Sequence, residues 1–148
     1  INKWDTLDEE MRLSLEKDMD RKCGFVQFAD SVILSAIRGK GLDELFKAVQ
    51  RTYQSGQKAL STAKVTEVLQ QAIAKQAPPI VGRFRIKLRY AHMVSEQPLI
   101  IMIHGNQTEH LADSYKRYLI GQFRQAFKLV GTPLRLQFKN SNNPYQDR

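Results

Sequence analysis

Two short motifs contain residue types suited to binding a nucleobase: Asn2-Lys3-Trp4-Asp5 and Ser35-Ala36-Ile37-Arg38-Gly39-Lys40-Gly41. A carboxylate such as that of Asp5 accepts two parallel hydrogen bonds, and guanine presents a ring N–H and an exocyclic amine side by side. Adenine does not present these two donors together, so a bidentate contact would select guanine. By itself, an N-K-x-D tetrad is better explained as a polar turn ahead of a helix. The surrounding elements therefore decide between these interpretations.

The elements predicted around the two motifs place both of them in loops. A T-x-x-E capping box that begins at Thr6 predicts a helix start just after the tetrad. Residues 31–34 form a short apolar run that predicts a buried parallel strand ending at Ser35. Gly39 and Gly41 permit a tight loop before a second predicted helix. The apolar residues of that helix are Leu42, Leu45, Phe46, Val49 and Tyr53. This order is typical of the last third of a doubly wound nucleotide-binding domain, and it favours guanine binding.

Motifs that would handle phosphates are missing from the sequence. It contains neither a G-x-x-x-x-G-K-[ST] phosphate loop nor a D-x-x-G motif. Phosphoryl transfer requires positioned phosphates and Mg²⁺, which other residues would have to supply. We therefore expect a fragment, or the visible part, of a longer protein. We expect no measurable GTP hydrolysis and very weak guanine-nucleotide binding by these 148 residues alone.

Charge is distributed unevenly along the chain. Residues 1–55 carry nine Lys and Arg against ten Asp and Glu, and residues 56–148 carry fourteen against five. Net charges of −1 and +9 favour two domains, with the basic surface in the second. The single cysteine, Cys23, and the lack of a long apolar run predict a cytoplasmic protein without a membrane anchor. Cys23 has no cysteine partner and is expected to be structural.

Periodicity in the second half predicts an α-β-β-α-β order with helices on one side of a small sheet. The helices are expected near residues 65–73 and 111–127, and the strands near 83–90, 99–104 and 134–139. The three histidines lack the spacing of a metal site, and no ligand role is assigned to His92, His104 and His110.

The first of these strands is predicted to have one cationic and one apolar face. The cationic positions are Arg83, Arg85, Lys87 and Arg89, and they alternate with Phe84, Ile86, Leu88 and Tyr90. Such a face is either an ordinary solvated face or an RNA phosphate surface, and the repulsion between like charges favours RNA. Further cations that would extend this surface are Lys116, Arg117, Arg124, Lys128, Arg135 and Lys139. Base stacking is not predicted, because Phe84, Tyr90 and Phe138 are expected on the apolar side.

Several longer segments resemble the carboxyl-terminal portion of the bacterial Der family, also called EngA. They are Pro78-Pro79, Lys87-Leu88-Arg89-Tyr90-Ala91-His92, His104-Gly105-Asn106-Gln107, Asp113-Ser114-Tyr115-Lys116-Arg117-Tyr118-Leu119, Gly131-Thr132-Pro133-Leu134-Arg135 and Asn143-Pro144-Tyr145. The resemblance covers essentially the whole chain. Proteins of this family have two tandem GTPase domains followed by a KH-like domain, and they act in assembly of the large ribosomal subunit.

The resemblance implies an α/β fragment of a P-loop GTPase domain followed by an α+β KH-like domain. Residues 1–55 would end the second GTPase domain, 56–63 would be a linker, and 64–148 would be the KH-like domain. It implies that Asn2, Lys3, Asp5, Ser35 and Ala36 bind the guanine of GTP or GDP, with Mg²⁺ held by the missing part. The implied partners are the large ribosomal subunit, its RNA and the upstream GTPase domains. The G-x-x-G loop of ordinary KH domains is absent.

Two functions for the KH-like domain remain open from the sequence. In the first, nucleotide state in the GTPase domains controls which basic surface is offered to ribosomal RNA. In the second, the domain is chiefly an intramolecular docking and regulatory module whose strand face packs on an acidic face of a GTPase domain.

Overall fold

The described part of the chain forms four α-helices and five strands. The structure, a computed structural model, describes residues 1–26 and 28–140. By its contacts the chain divides into two compact units. The first comprises Ile1–Ser55 and Leu129–Thr132, and the second comprises Gly56–Lys128 and the residues from Pro133 onward. The Asn143-Pro144-Tyr145 segment of the family resemblance lies outside the described residues.

The first unit contains the helices α1 (Glu9–Lys22) and α2 (Leu42–Gly56). The last residue of α2, Gly56, is assigned to the second unit. The expected capping box at Thr6 is wrong, because residues 4–6 form a 3₁₀ turn in which the Thr6 hydroxyl donates to the carbonyl of Lys3 at 2.8 Å. Asp8 caps α1 instead, and its carboxylate accepts from the Met11 amide at 2.8 Å. A side-chain cap of this kind contributes about 1 kcal/mol to helix stability.

The buried parallel strand expected at residues 31–34 is also absent from the described structure. The Ile1 amino group donates to the Val32 carbonyl at 2.6 Å, and the Leu34 amide donates to the Ile1 carbonyl at 2.9 Å. These two bonds have the pattern of a parallel pair, but one partner residue does not make a strand ladder. Ile33 between them remains exposed.

Helix α2 has the predicted spacing, but its expected apolar face is largely uncovered. Phe46 is 69% exposed and Tyr53 is 67% exposed, whereas the small residues Ala48 and Ser55 are buried. The Ser55 hydroxyl accepts a hydrogen bond from the Val130 amide at 2.9 Å. Burial in α2 therefore falls on small side chains, which contribute less hydrophobic free energy than large ones.

The second unit has the predicted α-β-β-α-β order around a three-stranded sheet. Its elements are α3 (Thr62–Lys75), β1 (Ile80–Val81), β2 (Phe84–Arg85), β3 (Lys87–Glu96), β4 (Leu99–Asn106), α4 (Asp113–Phe127) and β5 (Leu134–Asn140). The sheet order is β3-β4-β5, with β3 antiparallel and β5 parallel to the central β4. The short antiparallel pair of β1 and β2 was not predicted; it divides the expected first strand at Ile86.

The core of the second unit lies between α3, α4 and one face of the sheet. Side chains of β4 alternate between buried and partly exposed, so Leu99, Ile101 and Ile103 face the helices. The fully buried helix residues opposite them are Val65, Leu69, Leu119 and Phe123. Each such side chain stabilises the fold by about 1.5–3 kcal/mol relative to an exposed one.

Two side chains of α3 bond to the backbone along the outer edge of β3. The Thr66 hydroxyl donates to the Ala91 carbonyl at 2.8 Å and accepts from the Ala91 amide at 3.2 Å. The Gln70 amide donates to the Arg89 carbonyl at 2.6 Å. These bonds satisfy backbone groups that β4 cannot reach.

The two tyrosines of the Asp113–Leu119 motif join α4 to the end of α3. The Tyr115 hydroxyl donates to the Gln76 carbonyl at 2.6 Å, and the Tyr118 hydroxyl donates to the Ala72 carbonyl at 2.8 Å. Burial, and then the neighbouring Tyr118, raises the pKa of Tyr115 to about 12. Both hydroxyls satisfy carbonyls in the last turn of α3 and beside it, so this part of the motif has a structural role.

Candidate functional site

The first candidate site joins the loop of residues 2–5 to the loop of residues 35–38. The Asn2 side-chain oxygen accepts from its neighbour, the Lys3 amide, at 2.8 Å and from the Ala36 amide at 3.1 Å. Lys3 has a left-handed backbone with a φ of 63°. A single asparagine therefore holds the two loops together within the first unit.

Asp5 is the ionised group of this site. Its carboxylate is 3.0 Å from the Arg38 guanidinium, and the aspartate side chain is only 18% exposed. The Ser35 hydroxyl, followed by the charges of Arg38 and Lys40, holds the pKa of Asp5 below its usual range. The carboxylate is consequently an acceptor at neutral pH, as a contact with two N–H donors requires.

The second loop closes tightly on itself. Ser35 and Lys40 form a two-way backbone bridge, with N–O distances of 3.0 and 3.2 Å. Gly41 has a φ of 80°, and a Cβ atom at this position would collide with the Ile33 carbonyl. The side chain of Ile37 at the loop tip is almost completely exposed. Glycine is therefore required for the turn that brings Ser35 and Ala36 beside the tetrad.

The four cations expected on one strand face do not share a strand. Arg83 lies in a turn and Arg85 in β2, whereas Lys87 begins β3. Arg89 occupies a β-bulge, where the pairing with β4 passes from Leu88 to Tyr90. All four side chains are exposed, but the single alternating cationic face predicted from the sequence is wrong.

The remaining cations lie on two different layers of the second unit. Lys116 and Arg117 belong to α4, and Lys116 pairs with Asp113 at 2.9 Å. Arg124 is on the same helix, and Lys128 is its left-handed cap residue. Arg135 and Lys139, by contrast, are in register with Ile100 and His104 of β4. They therefore face away from the helices and do not form one surface with the α4 cations.

No helix in the described part of the second unit packs on this other side of the sheet, called here the open face. Its side chains are Lys87, Tyr90, His92 and Ser95 from β3, Ile100, Met102, His104 and Asn106 from β4, and Arg135, Gln137 and Lys139 from β5. The expected position of Tyr90 on the apolar side is wrong, because the bulge at Arg89 reverses the alternation. Phe138 lies on the helix side, in register with Ile103.

Tyr90 instead stacks on His104, a contact that was not predicted from the sequence. The ring centroids are 4.4 Å apart and the planes differ by 6°. The sequence feature that could have indicated this contact is Tyr90-Ala91-His92, an alternation of aromatic and small residues. The small Ala91 is buried, and both of its neighbours point to the open face.

Three observations concern metal binding, the cysteine and membrane insertion. The described residues contain no group of three or more His, Cys, Asp and Glu side chains that could hold a metal ion. Cys23 is half-buried and has no disulfide partner. Within the same residues, no helix combines the length and the apolarity needed to cross a membrane.

A three-stranded mixed sheet with two helices on one face, in α-β-β-α-β order, defines the second unit as a KH-like domain. The family model described as "KH-domain-like of EngA bacterial GTPase enzymes, C-terminal" matches residues 60–139. This chain belongs to the EngA family of bacterial GTPases, whose members are also named Der.

Relatives from several bacteria are similar along the whole chain. GTPase Der of Vibrio vulnificus is 44% identical over 148 residues, which is 100% of this chain. GTPase Der of Thioalkalivibrio sulfidiphilus is 48% identical over 145 residues, or 98% of the chain, and that of Aeromonas hydrophila is 43% identical over 148. The chain spans only about 30% of the length of these relatives.

Proposed function

We propose that the chain is the C-terminal part of a GTP-binding and GTP-hydrolysing factor for assembly of the large ribosomal subunit. In this proposal, residues 1–55 end the second of two GTPase domains, 56–63 are a linker, and 64–148 are the KH-like domain. Membership of the EngA family supports a parent GTPase. Cytoplasmic location is part of the same proposal.

The observation that carries the nucleotide part is the hydrogen bond from the Ala36 amide to the Asn2 side chain. It holds the two loops together so that the ionised Asp5 carboxylate lies beside Ser35. We propose that Asp5 accepts from the guanine ring N–H and amine, while the Lys3 alkyl chain lies along the purine. The phosphates of GTP or GDP and the Mg²⁺ ion would be held by upstream residues, because this sequence has no phosphate loop.

An Asp5→Asn substitution tests guanine recognition. The experiment uses a chimera in which the upstream residues of GTPase Der from Vibrio vulnificus precede residue 1. The asparagine amide cannot accept both guanine donors, so GDP affinity should fall roughly 10- to 100-fold. The same amide can donate to the 2-oxo group of xanthine, so affinity for xanthosine diphosphate should rise. Fluorescence titration with labelled nucleotides measures both constants.

Asp8→Asn is the matched control for this experiment. Asp8 is an exposed cap residue of α1, and asparagine caps helices as well as aspartate does. Both nucleotide affinities should therefore stay unchanged in this variant. If Asp5→Asn lowers the affinities for GDP and xanthosine diphosphate equally, or lowers neither, Asp5 does not contact the base. The 148-residue chain alone should bind labelled GDP only very weakly.

For the KH-like domain we propose contact with ribosomal RNA through exposed cations. The proposed phosphate-binding residues are Arg83, Arg85, Lys87, Arg89, Lys116, Arg117 and Arg135. Lys and Arg side chains supply most of the sequence-independent affinity of RNA-binding proteins. These cations do not form one continuous surface, so the second candidate function is retained. In that function the KH-like domain is an intramolecular docking and regulatory module whose strand face packs on an acidic face of an upstream GTPase domain.

A further inference from the structure

Three aromatic rings cluster on the open face of the KH-like sheet, and the centroids of Tyr90 and His92 are 6.3 Å apart. Tyr90 and His104 are nearly parallel at 4.4 Å, and His92 stacks on His104 at 5.2 Å with an interplanar angle of 24°. The strand register places all three on the same side, because Tyr90 pairs with His104 and His92 pairs with Met102. Tyr90 is 43% exposed, so part of its side chain is accessible to a ligand.

Three cationic side chains lie on the same face of the sheet as these rings. Lys139 is in register with His104, and Lys87 and Arg135 lie on the same face. None of these three cations has an ion pair among the described residues. Strands β3, β4 and β5 contain a single carboxylate, Glu96, which is in register with Leu99 on the helix side. The open face is therefore complementary to a flat ring attached to an anion.

Two buried polar atoms of β4 have no hydrogen-bond partner among the described residues, 1–26 and 28–140. They are the His104 Nε2 and Asn106 Oδ1 atoms. Burial, and then the charges of His92 and Lys139, lowers the pKa of His104. The imidazole therefore stays neutral near pH 7, which avoids a buried positive charge beside Lys139.

We propose that the open face binds an unpaired nucleobase of single-stranded RNA on the accessible face of Tyr90. The adjacent phosphates would lie near Lys139 and Arg135. This inference rests on the proposed function, since it names the kind of RNA that the KH-like domain would take. Aromatic side chains on an open sheet and flanking cations are the combination that holds single strands. The mode differs from the G-x-x-G clamp of ordinary KH domains, which this sequence lacks.

Binding of a short unstructured RNA to the 148-residue chain tests the proposal. Fluorescence anisotropy compares a ten-nucleotide RNA with an abasic strand of the same length, which keeps the phosphates and loses the bases. The Tyr90→Ala variant should bind the RNA roughly 5- to 100-fold more weakly and the abasic strand unchanged. Tyr90→Phe should retain binding, because a phenyl ring still stacks. Tyr53→Ala, which removes an exposed tyrosine of the first unit, is the matched control.

The outcomes separate this proposal from the proposed RNA function. In one outcome, Tyr90→Ala and the unsubstituted chain bind RNA equally, while Lys139→Gln and Arg135→Gln bind it more weakly. In that case phosphate binding is supported and base stacking is overturned. If Tyr90→Ala weakens the RNA and the abasic strand alike, the tyrosine only supports the sheet, and stacking is again overturned. If the unsubstituted chain does not bind RNA at low salt, both the RNA function and base stacking are overturned. The open face would then be assigned to a protein partner.

Discussion

Single side chains in this chain have roles that their residue types alone do not reveal. Asn2 joins two loops that are 34 positions apart through one amide oxygen. Arg38 is mostly exposed, yet it pairs with the partly buried Asp5. Because ionised Asp5 is already engaged by Arg38, a bound guanine would have to share or displace that guanidinium. The affinity of the proposed guanine site would therefore depend on a residue outside the N-K-x-D tetrad.

His104 should make the stability of the fold depend on pH. Its pKa is lowered in the folded chain, first by burial and then by His92 and Lys139, whereas the unfolded ring titrates near its usual value. As pH falls from 7.5 to 5.5, the unfolded chain takes up more protons at this residue than the folded chain does. The free energy of unfolding should fall with it. Urea unfolding at pH 7.5, 6.5 and 5.5 measures the decline.

The His104→Gln variant removes this titration, so its stability should decline less over the same interval. His110→Gln replaces an exposed histidine and provides the matched comparison. Because the carboxylates with lowered pKa titrate well below this range, they add little to the decline. Identical slopes for His104→Gln and the unsubstituted chain would contradict the prediction.

At the scale of elements, the Thr66 hydroxyl makes two of the hydrogen bonds between α3 and β3. Replacing Thr66 by valine keeps the shape but leaves the buried amide and carbonyl of Ala91 without their partner. We expect a loss of about 1–3 kcal/mol in the free energy of unfolding. Thermal and urea denaturation give this value. Thr66→Ser keeps the hydroxyl and should recover most of the loss; a serine variant as unstable as the valine variant would assign the effect to the methyl group instead.

The elements that the sequence predicts well are those whose own side chains determine them. The spacing of Val65, Val68 and Leu69 defines α3, and the alternation in residues 134–139 defines β5, because burial on one face imposes a period. Residues 31–34 have a strand-like composition, but their backbone bonds to Ile1 and Trp4 do not form a strand in the described part of the chain. The bulge at Arg89 depends on the register with β4, which no local pattern contains. The wrong placement of Tyr90 followed from that one residue.

For the candidate functional sites, the sequence predicted residue types and loop positions but not side-chain contacts. The residue types of the tetrad suggested guanine chemistry, and the order of elements suggested that both motifs lie in loops. Neither could suggest the pairing of Asp5 with Arg38 or the stack of Tyr90 on His104. Such contacts form between side chains that are distant in sequence, so only the folded backbone determines them.

At the scale of the whole molecule, the two units should differ in local stability. Helix α1 has no buried residue, whereas every second residue of β4 is buried in the core of the second unit. Local opening requires less free energy where few apolar contacts are lost. Amide hydrogen exchange followed by mass spectrometry or NMR should therefore show α1 exchanging orders of magnitude faster than β4. Comparable protection in both elements would contradict this expectation.

The hydroxyl of Thr66 also determines where the sheet can grow. By occupying the backbone groups of Ala91, it denies the outer side of β3 to any additional strand. The far side of β5 has no strand partner among the described residues. Capture of an extended peptide, exchange of a strand between copies, and aggregation through strand pairing would therefore all begin at β5.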